Sequence, residues 1–283
     1  MITAESILKV RALTQSWKKQ GLSIGFVPTM GYLHDGHTSL INRARRENDK
    51  VVVSIFVNPT QFGPNEDFEK YPKSLERDRE ICERAGTDLI FAPSVAEIYP
   101  SKNLAFVDIS ELDQGLCGAK RPGHFRGVCT VVSKLFNIVM PDRAYFGEKD
   151  AQQLAIIRWM TEDLNFNIQI VPCPTVRDQD GLALSSRNSY LSETERKAAR
   201  VIPESLDLAR QALVDGETDA NVIKGIISEK ITTEPLATID YIEVVDSSLL
   251  KPVVQIDKPV LIAVAVFIGG TRLIDNFSFK EGS

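Results

Sequence analysis

Histidine and cysteine are scarce in this sequence, and their placement excludes a common class of site. Among 283 residues there are three histidines and four cysteines. The cysteines lie far apart, with neither a Cys-x-x-Cys pair nor a Cys/His cluster at the spacing of zinc ligands. The sequence therefore predicts no structural zinc site, and we expect the thiols to be reduced.

Several motifs of common enzyme classes are also missing. No Gly-x-Gly-x-x-Gly follows the first predicted strand, and the chain has no Gly-x4-Gly-Lys-Ser/Thr loop and no Gly-x-Ser-x-Gly elbow. The histidines lack the glutamate of a His-Glu-x-x-His zinc helix. These absences weigh against hydride transfer, P-loop nucleotide hydrolysis and serine hydrolase chemistry.

An excess of positive charge is missing as well. The formal net charge is −5, which argues against a broad surface for nucleic acid or anionic membranes but leaves room for a small basic pocket. The longest apolar run, Val260 to Ile268, is shorter than the ~20 residues that cross a bilayer. Met1 to Glu5 lack the regions of a signal peptide. We therefore expect a soluble cytoplasmic protein.

The sequence does contain a glycine-bearing turn, Pro28 to His37, that holds two of the three histidines. An apolar run at 22–27 precedes it and indicates a strand, and apolar residues at helical spacing follow it. This layout binds phosphates, because glycine admits close approach and the N–H groups at a helix start point at the anion. His34 and His37 can both reach a polyphosphate. The turn predicts a nucleotide site; a polar turn with two surface histidines is the alternative.

The rest of the chain alternates between strands and helices up to about residue 175. Strands are predicted at 22–27, 51–57, 88–91, 104–109, 144–146 and 168–171. Helices are predicted at 4–20, at 72–85 and at 151–164. Two more are predicted by where they end: one follows the turn at 28–37 and ends near residue 47, and one follows the segment 121–127 and ends near residue 140. The alternation predicts an α/β fold with a doubly wound parallel sheet in residues 1–175.

After about residue 175 the pattern changes. Helices are predicted at 192–214 and 218–230, and strands at 238–246, 259–268 and 271–276. Gly269-Gly270 indicates a hairpin between the last two strands. Residues 176–283 are predicted to form a second, smaller α+β domain that covers the active site.

Polar side chains follow several of the predicted strands. Asn58 and Gln61 come after the second strand, and Lys149 and Asp150 come after a later one. Ligands of open α/β sheets bind beyond the carboxyl ends of the strands, so these groups and the histidine pair are expected to share one crevice. Each cluster also has a plainer interpretation, since amides are common in turns and Gly147–Asp150 fits a solvated charged loop.

Two further segments carry groups suited to anions. Residues 184–188 place two serines beside an arginine, which can bind triphosphate oxygens, although an ordinary polar loop also explains the string. Arg121 and Arg126 are candidates for a mobile basic cover. His124 is expected to be structural.

A Rossmann-like sheet that holds ATP by His-x-Gly-His resembles the nucleotidylyl-transfer superfamily. Within it, the chain resembles the pantothenate synthetase family through motifs that occur in the family's order and span nearly the whole chain. These motifs are Pro28-Thr29-Met30-Gly31-x-x-His34-x-Gly36-His37, Val57-Asn58-Pro59-Thr60-Gln61-Phe62, Arg121-Pro122-Gly123-His124-Phe125-Arg126-Gly127-Val128, Phe146-Gly147-Glu148-Lys149-Asp150-x-Gln152-Gln153 and Asp180-Gly181-Leu182-Ala183-Leu184-Ser185-Ser186-Arg187-Asn188.

The resemblance implies an ATP-dependent ligase that condenses pantoate with β-alanine through a pantoyl adenylate and releases AMP and pyrophosphate. It also implies Mg²⁺ bound to the phosphate oxygens, largely through water, and a homodimer. Both nucleophiles come from the substrates, so the protein has to position reactants and stabilise charge.

The resemblance further implies roles for individual residues. His34, His37 and Lys149 would be catalytic, Gln61 would bind pantoate and β-alanine, and Gln153 would bind pantoate. Asp78 would be an outer partner of the metal. ATP contacts are implied for Met30, Gly31, Tyr32, Leu33, His34, Asp35, Gly36, His37, Gly147, Glu148, Lys149, Asp150, Val176, Leu184, Ser185, Ser186 and Arg187.

Two other functions stay open at this point. A cofactor adenylyltransferase would keep the nucleotide on its product, and a nucleotide-sensing module would bind ATP without turnover. A truncated tRNA synthetase is disfavoured, because the chain is acidic and has no evident tRNA-binding extension.

Overall fold

A computed structural model describes residues 1–64 and 66–280 of the chain. The chain divides into two compact units, each with its own interior. Unit 1 comprises Met1–Ser110, Arg121–Glu148 and Gln153–Pro174. Unit 2 comprises Glu111–Lys120, Lys149–Gln152 and the chain from Thr175 onward. The division into domains at residue 175 stays a prediction.

The strands form one sheet in each unit. In chain order they are β1 (Ile2–Ala4), β2 (Ile24–Thr29), β3 (Lys50–Ile55), β4 (Leu89–Phe91), β5 (Arg143–Gly147), β6 (Gln169–Cys173), β7 (Ala237–Asp246), β8 (Val260–Ile268) and β9 (Thr271–Phe279). Unit 1 has the order β1-β4-β3-β2-β5-β6 with every pair parallel, and unit 2 has the antiparallel order β7-β8-β9. The predicted fold class is confirmed.

Helices follow most strands of unit 1 and precede the sheet of unit 2. In chain order they are α1 (Ile7–Lys19), α2 (Asp35–Glu47), α3 (Leu75–Arg84), α4 (Val95–Ile98), α5 (Leu116–Lys120), α6 (His124–Val139), α7 (Ala151–Asp163), α8 (Glu193–Ala198), α9 (Val201–Val214) and α10 (Ala220–Thr232). Within the described residues, none of these helices has the length and apolar character needed to span a bilayer.

The interior of each unit follows from the apolar runs in its strands. In β3, Val51, Val52 and Val53 are fully buried, as expected for a parallel strand that is covered on both faces. In unit 2, the apolar faces of α9 and α10 pack with β8, whose residues are nearly all buried. All four cysteines are buried, and none of them forms a disulfide bond.

The order of strands in unit 1 creates a switch point beside β2. β2 pairs with β3 on one side and with β5 on the other, so the sheet grows to one side through β3 and β4 and to the other through β5 and β6. In open α/β sheets, ligands bind outside the carboxyl ends of the strands at such a point. The turn that contains His34, called the histidine turn below, joins β2 to α2. It therefore lies at the carboxyl end of β2, beside the switch point.

Two predictions about secondary structure are wrong, and one strand was not predicted. Residues 104–109 form no strand; the backbone of Val107 instead exchanges hydrogen bonds with the Thr130 hydroxyl at 3.0 and 3.3 Å. The single helix predicted at 192–214 is two helices, because Pro203 lacks an N–H and fits the first turn of a new helix. The edge strand β1 begins before the predicted first helix and was missed because three residues show no periodicity.

Candidate active site

A glycine and a buried aspartate shape the turn after β2. Gly31 has a φ of +83°, and a Cβ there would lie 2.9 Å from Ile55 Cγ2 and 3.0 Å from Asp78 Oδ2. Tyr32 also has a positive φ, of 51°. The Asp78 carboxylate accepts hydrogen bonds from the backbone amides of Tyr32 at 2.9 Å and Leu33 at 2.7 Å. These bonds hold the left-handed backbone that leads into α2.

Asp78 is thereby tied to the turn. It is 1% exposed, and this burial raises the pKa of its carboxyl above the ordinary value, while the two backbone hydrogen bonds act in the opposite direction. Its predicted contact with a metal stays a prediction. Among the described residues, no group of three or more His, Cys, Asp or Glu side chains is placed to hold a metal ion.

His34 and His37 cap the start of α2 reciprocally. The amide of Gly36 donates to His34 Nδ1 at 3.1 Å, and the amide of His34 donates to His37 Nδ1 at 3.3 Å. Because an imidazole nitrogen accepts a hydrogen bond only through its lone pair, both Nδ1 atoms are unprotonated, and each ring carries its proton on Nε2. The ring centroids are 4.1 Å apart. The pair thus places two imidazoles at a helix N-terminus, a position that favours an anion.

The neighbouring strand β5 ends beside this turn. Its last residue is Gly147, where a Cβ would meet no atom within 4 Å. The next residue, Glu148, is exposed. Because β2 and β5 are paired parallel strands, their carboxyl ends lie at the same edge of the sheet. The structure therefore brings Gly147 to the edge that carries the histidine turn.

A 3₁₀ helix at Pro59–Gln61 follows β3 and orients the amide of Gln61. Asn58 is 1% exposed, and its Nδ2 donates to Gln61 Oε1 at 3.0 Å. The Tyr99 hydroxyl donates to Asn58 Oδ1 at 2.9 Å. Gln61 Nε2 lies 3.3 Å from Met30 Sδ, so the structure brings Gln61 to the first residue of the predicted ATP-binding stretch.

A second network holds the backbone of Gln61. Arg121 Nη1 lies 3.0 Å from His124 Nε2, and because arginine only donates, His124 carries its proton on Nδ1. His124 Nδ1 then donates to the Gln61 carbonyl at 2.8 Å. Arg121 Nε also donates to Glu66 Oε1 at 2.6 Å. Arg121 is engaged inside unit 1 rather than free to cover a ligand, and both ring nitrogens of His124 hydrogen-bond within unit 1; its structural role stays a prediction.

The pairing with Arg121 changes the pKa of the Glu66 carboxyl. Burial by itself would raise the pKa, but the hydrogen bond and charge of Arg121 outweigh burial, so the pKa lies below the ordinary value. The carboxylate of Glu66 is therefore the charged partner that neutralises Arg121.

Unit 2 holds Lys149 through its backbone. Lys149 lies in a 3₁₀ helix at Glu148–Asp150, and its carbonyl accepts a hydrogen bond from Asn276 Nδ2 at 2.8 Å. The Lys149 side chain is half-buried, and Asp150 is exposed. Lys149 and Asp150 belong to unit 2, whereas Gly147 and Glu148 belong to unit 1.

The two glutamines that follow have different environments. Gln152 is 6% exposed, and its Nε2 donates to the carbonyls of Leu112 at 2.8 Å and Gly115 at 2.9 Å, all within unit 2. Gln153 is half-buried and belongs to unit 1. Gln152 is therefore the buried anchor, and a substrate contact remains predicted for Gln153 alone.

A short hairpin in unit 2 brings Val176 and Leu184 together. The amide of Leu184 donates to the Val176 carbonyl at 3.0 Å, and Arg177 and Ala183 form an antiparallel bridge. Ser185 then caps a 3₁₀ helix at Ser186–Tyr190 by accepting from the amide of Arg187 at 3.2 Å. Ser185, Ser186 and Arg187 thus lie in one turn, which directly follows the hairpin.

A small pocket within unit 2 lies beside this turn. Its lining residues are Lys149, Leu182, Ala183, Ser185, Asn188, Ile202, Leu273, Ile274 and Asp275. Asn188 Nδ2 donates to the Ala183 carbonyl at 3.2 Å, while its buried Oδ1 has no hydrogen-bond partner among the described residues. The structure therefore brings Lys149 and Ser185 to one pocket.

The predicted site residues fall into two sets, one in each unit. Unit 1 holds Met30, Gly31, Tyr32, Leu33, His34, Asp35, Gly36, His37, Gln61, Asp78, Gly147, Glu148 and Gln153. Unit 2 holds Lys149, Asp150, Val176, Leu184, Ser185, Ser186 and Arg187. That both sets bind one ATP molecule stays a prediction.

Sequence reasoning missed Asp275 and Tyr99, two of the residues that hold these groups in place. In β9, Asp275 occupies an inward position between Leu273 and Phe277, and it is 2% exposed. An acid at an inward position breaks the alternation expected of a half-buried strand, which is a signal that the sequence contains. The role of Tyr99 leaves no such trace, because only the fold brings it to Asn58.

Comparison with known proteins gives consistent relatives over the full length. The profile of the family described as Pantoate-beta-alanine ligase matches residues 2–278. A pantothenate synthetase of Enterococcus faecalis is 60% identical over 280 residues, covering 99% of both chains. One from Clostridium botulinum (strain Loch Maree / Type A3) is 56% identical over 280 residues, covering 99% of this chain and all of that protein.

Solved structures agree with the sequence comparison. The crystal structure of pantothenate synthetase from Thermus thermophilus has a TM-score of 0.93 and 45% identity, covering 98% of this chain and 99% of that chain. The ligase from Francisella tularensis, complexed with β,γ-ATP and β-alanine, has a TM-score of 0.81 and 40% identity, covering 98% and 97%. On this evidence the chain belongs to the pantoate-β-alanine ligase family.

Proposed function

We propose that this ligase joins pantoate to β-alanine through a pantoyl adenylate, with release of pyrophosphate and AMP. The chain is a member of the pantoate-β-alanine ligase family, and a structural relative in that family was solved with an ATP compound and β-alanine. The observation that supports the chemistry best is the pair of Nε2–H groups of His34 and His37 at the start of α2, beside the switch point of the sheet.

In the first step, an oxygen of the pantoate carboxylate forms a bond to the α-phosphorus of ATP. The bond from that phosphorus to the bridging oxygen of pyrophosphate breaks, and pyrophosphate leaves with the electron pair. Negative charge spreads over the phosphate oxygens as this happens. His34 and His37 donate from Nε2 to those oxygens, and Lys149 supplies a positive charge, so the protein stabilises the charge that develops.

In the second step, the amine of β-alanine attacks the acyl carbon of the adenylate. The C–O bond to AMP breaks, AMP leaves, and the nitrogen loses its proton to give the amide. Gln61 contacts pantoate and β-alanine, and Gln153 contacts pantoate. The rigid support of Gln61 by Asn58 and His124 suits this role, because orientation of two substrates is what the protein contributes.

Mg²⁺ enters this scheme as part of the substrate, in complex with ATP. The described residues offer no cluster of carboxylates or imidazoles that would hold the ion by themselves. Mg²⁺ commonly keeps several waters and binds substrate phosphates, which fits such a surrounding.

The experiment that tests the proposal measures exchange of labelled pyrophosphate into ATP. With pantoate present and β-alanine absent, label is expected to enter ATP, and omission of pantoate is expected to stop the exchange. Addition of β-alanine is then expected to yield AMP and pantothenate in equal amounts. A nucleotide retained on the product would instead indicate an adenylyltransferase, and ATP binding without exchange would indicate a sensor.

We also propose that the chain works as a homodimer in the cytoplasm, without nucleic acid or membrane partners. Leu104 and Phe106 are 84% and 44% exposed in one extended segment, and such apolar surface supports an association. Sedimentation equilibrium of the purified chain tests this, and a single monomeric species at micromolar concentration would contradict it.

A further inference from the structure

We propose that Asp275 and Asn276 of β9 are positioning residues for the ligation, because together they hold Lys149 and the hairpin that leads to Ser185 and Arg187. The inference rests on the proposed function and on the ATP contacts predicted for Lys149, Ser185 and Arg187. It concerns residues outside every motif that identified the family, and all of the contacts lie within unit 2.

Asn276 fixes the backbone from which the Lys149 side chain projects. Its Nδ2 donates to the Lys149 carbonyl at 2.8 Å. The far end of the same short segment is fixed by Gln152, which donates to two carbonyls of the segment at 112–115. The segment Lys149–Gln152 is therefore held at both ends. Because the bonds use the backbone of Lys149, they leave its ammonium group available to a ligand.

Asp275 fixes the hairpin. Its carboxylate accepts from Arg177 Nη1 at 2.6 Å and from Arg177 Nη2 at 2.9 Å, a bidentate pair. Arg177 Nη1 also donates to the Gly181 carbonyl at 3.0 Å, across the turn of the hairpin. The hydrogen bonds to Asp275 are also the main cause that raises the pKa of Arg177 above its ordinary value.

The two positioning residues are joined to each other as well. Asp275 Oδ1 accepts a hydrogen bond from the backbone amide of Asn276 at 2.8 Å. Lys149, Ser185 and Asp275 line the same small pocket. One dipeptide of β9 therefore sets the position of both phosphate-binding elements that unit 2 is proposed to supply.

Stability alone does not explain a carboxylate at this place. Asp275 occupies an inward position in a strand whose flanking inward residues, Leu273 and Phe277, are apolar. Replacing buried ion pairs by apolar residues of similar volume is often neutral or stabilising, because the desolvation of the charges is avoided. The ion pair at this position therefore indicates that Asp275 is needed to orient Arg177 and the hairpin.

The test compares Asn276→Ala and Asp275→Asn with Asp240→Asn. Asp240 offers a matched control, since it accepts from Arg272 at 3.0 and 2.8 Å on the same sheet and pairs with Lys120 at 3.5 Å, and neither partner is proposed to bind ATP. The readouts are kcat for pantoate-dependent pyrophosphate exchange, the KM for ATP, ATP affinity by calorimetry and the melting temperature. Misplacement of a reacting group by about 1 Å can cost ~100-fold in rate.

We expect Asn276→Ala and Asp275→Asn to lower exchange by about 10- to 100-fold and to weaken ATP binding, whereas Asp240→Asn changes both less than about twofold at a similar loss of melting temperature. Arg177→Lys keeps the charge but loses the bidentate hydrogen bonds to Asp275. Its exchange rate and ATP affinity are expected to lie between those of the parent chain and those of Asp275→Asn. The inference is overturned if both β9 variants keep the exchange rate and ATP affinity of the parent chain, or if Asp240→Asn loses as much.

Failure of the proposed function would look different. A parent chain without exchange would contradict the ligation, and ATP affinity would still separate the β9 variants from the control. If Asp275→Asn does not fold, Asn276→Ala decides the matter, since it removes the hydrogen bond to the Lys149 carbonyl and leaves the buried Asp275–Arg177 pair in place.

Discussion

The backbone amide of His34 donates to Nδ1 of His37 at 3.3 Å, so the start of α2 and the orientation of an imidazole are set by one bond. In the second hydrogen bond of this cap, His34 Nδ1 accepts from the backbone amide of Gly36. Capping a helix and presenting Nε2 to a ligand are therefore two uses of the same rings. This coupling allows substitutions that separate stability from chemistry.

Replacement of His34 by asparagine should remove the chemistry and keep the cap. Asparagine is among the preferred N-cap residues, so the melting temperature is expected to change little. Loss of one hydrogen-bond donor to a developing charge is expected to reduce pyrophosphate exchange by ~100- to 1,000-fold. His34→Ala serves as the matched comparison, because it should lose about 1 kcal/mol of stability in addition. Normal exchange in His34→Asn would contradict the proposed role of the imidazole.

His37→Ala is expected to lose most turnover for the same electrostatic reason, by ~100- to 1,000-fold. It also removes the acceptor of the His34 amide, so a loss of up to about 1 kcal/mol in the free energy of unfolding should accompany it. Exchange kinetics and thermal unfolding measured on the same preparation separate the two effects. A variant that is destabilised and fully active would show that His37 serves only as a cap.

Lys149→Met is expected to abolish most exchange without unfolding the chain. The bond from Asn276 goes to the Lys149 carbonyl, which the substitution retains. Loss of the charge is expected to reduce exchange by ~100-fold or more. Lys258→Met, at an exposed position, is the control and should behave as the parent chain. Exchange within a few-fold of the parent in Lys149→Met would count against a phosphate contact.

Gly31→Ala tests the geometry of the turn. A left-handed residue costs about 1–2 kcal/mol when it carries a Cβ, and here the Cβ would also press on Ile55 and on the Asp78 carboxylate. Gly21→Ala separates the two contributions, because Gly21 has a φ of +74° but no atom within 4 Å of its Cβ position. Chemical denaturation should show a larger loss for Gly31→Ala than for Gly21→Ala. Equal losses in the free energy of unfolding would mean that Ile55 and Asp78 move aside at little cost.

The pair between Glu66 and Arg121 should make stability depend on pH in the acid range. The pKa of Glu66 is lower in the folded chain than its ordinary value of 4.5, so the unfolded chain holds this proton more tightly. The stabilisation is therefore present above that ordinary value and is lost as pH falls through the folded pKa.

The expected result is a steeper fall in melting temperature below about pH 4.5 for the parent chain than for Glu66→Gln. At pH 7 the variant should be less stable by about 1–3 kcal/mol, since a hydrogen bond to a charged group is lost. Glu83→Gln, at an exposed position, controls for the change in net charge. Parallel pH profiles for the parent chain and Glu66→Gln would contradict the linkage.

The comparison of sequence and structure separates local from long-range information. An almost unbroken apolar run located β3, and glycines and histidines between a strand and a helix located the turn, because both signals are encoded within a few neighbouring residues. The apolar pattern failed at 104–109, where five of the six residues are apolar but the backbone of Val107 pairs with the Thr130 side chain. Whether a strand forms depends on a partner strand, and the sequence does not say where that partner is.

What the sequence determined by itself is therefore the fold class, the family and the chemical groups of the candidate site, since motifs carry these residue by residue. The tertiary structure alone decided which side chains support those groups: Asp78 under the turn, His124 and Arg121 behind Gln61, and Asp275 with Asn276 behind Lys149 and the hairpin. Sequence separations of up to 127 residues divide these partners, and only the packing of buried polar groups, each of which needs a hydrogen bond, brings them together.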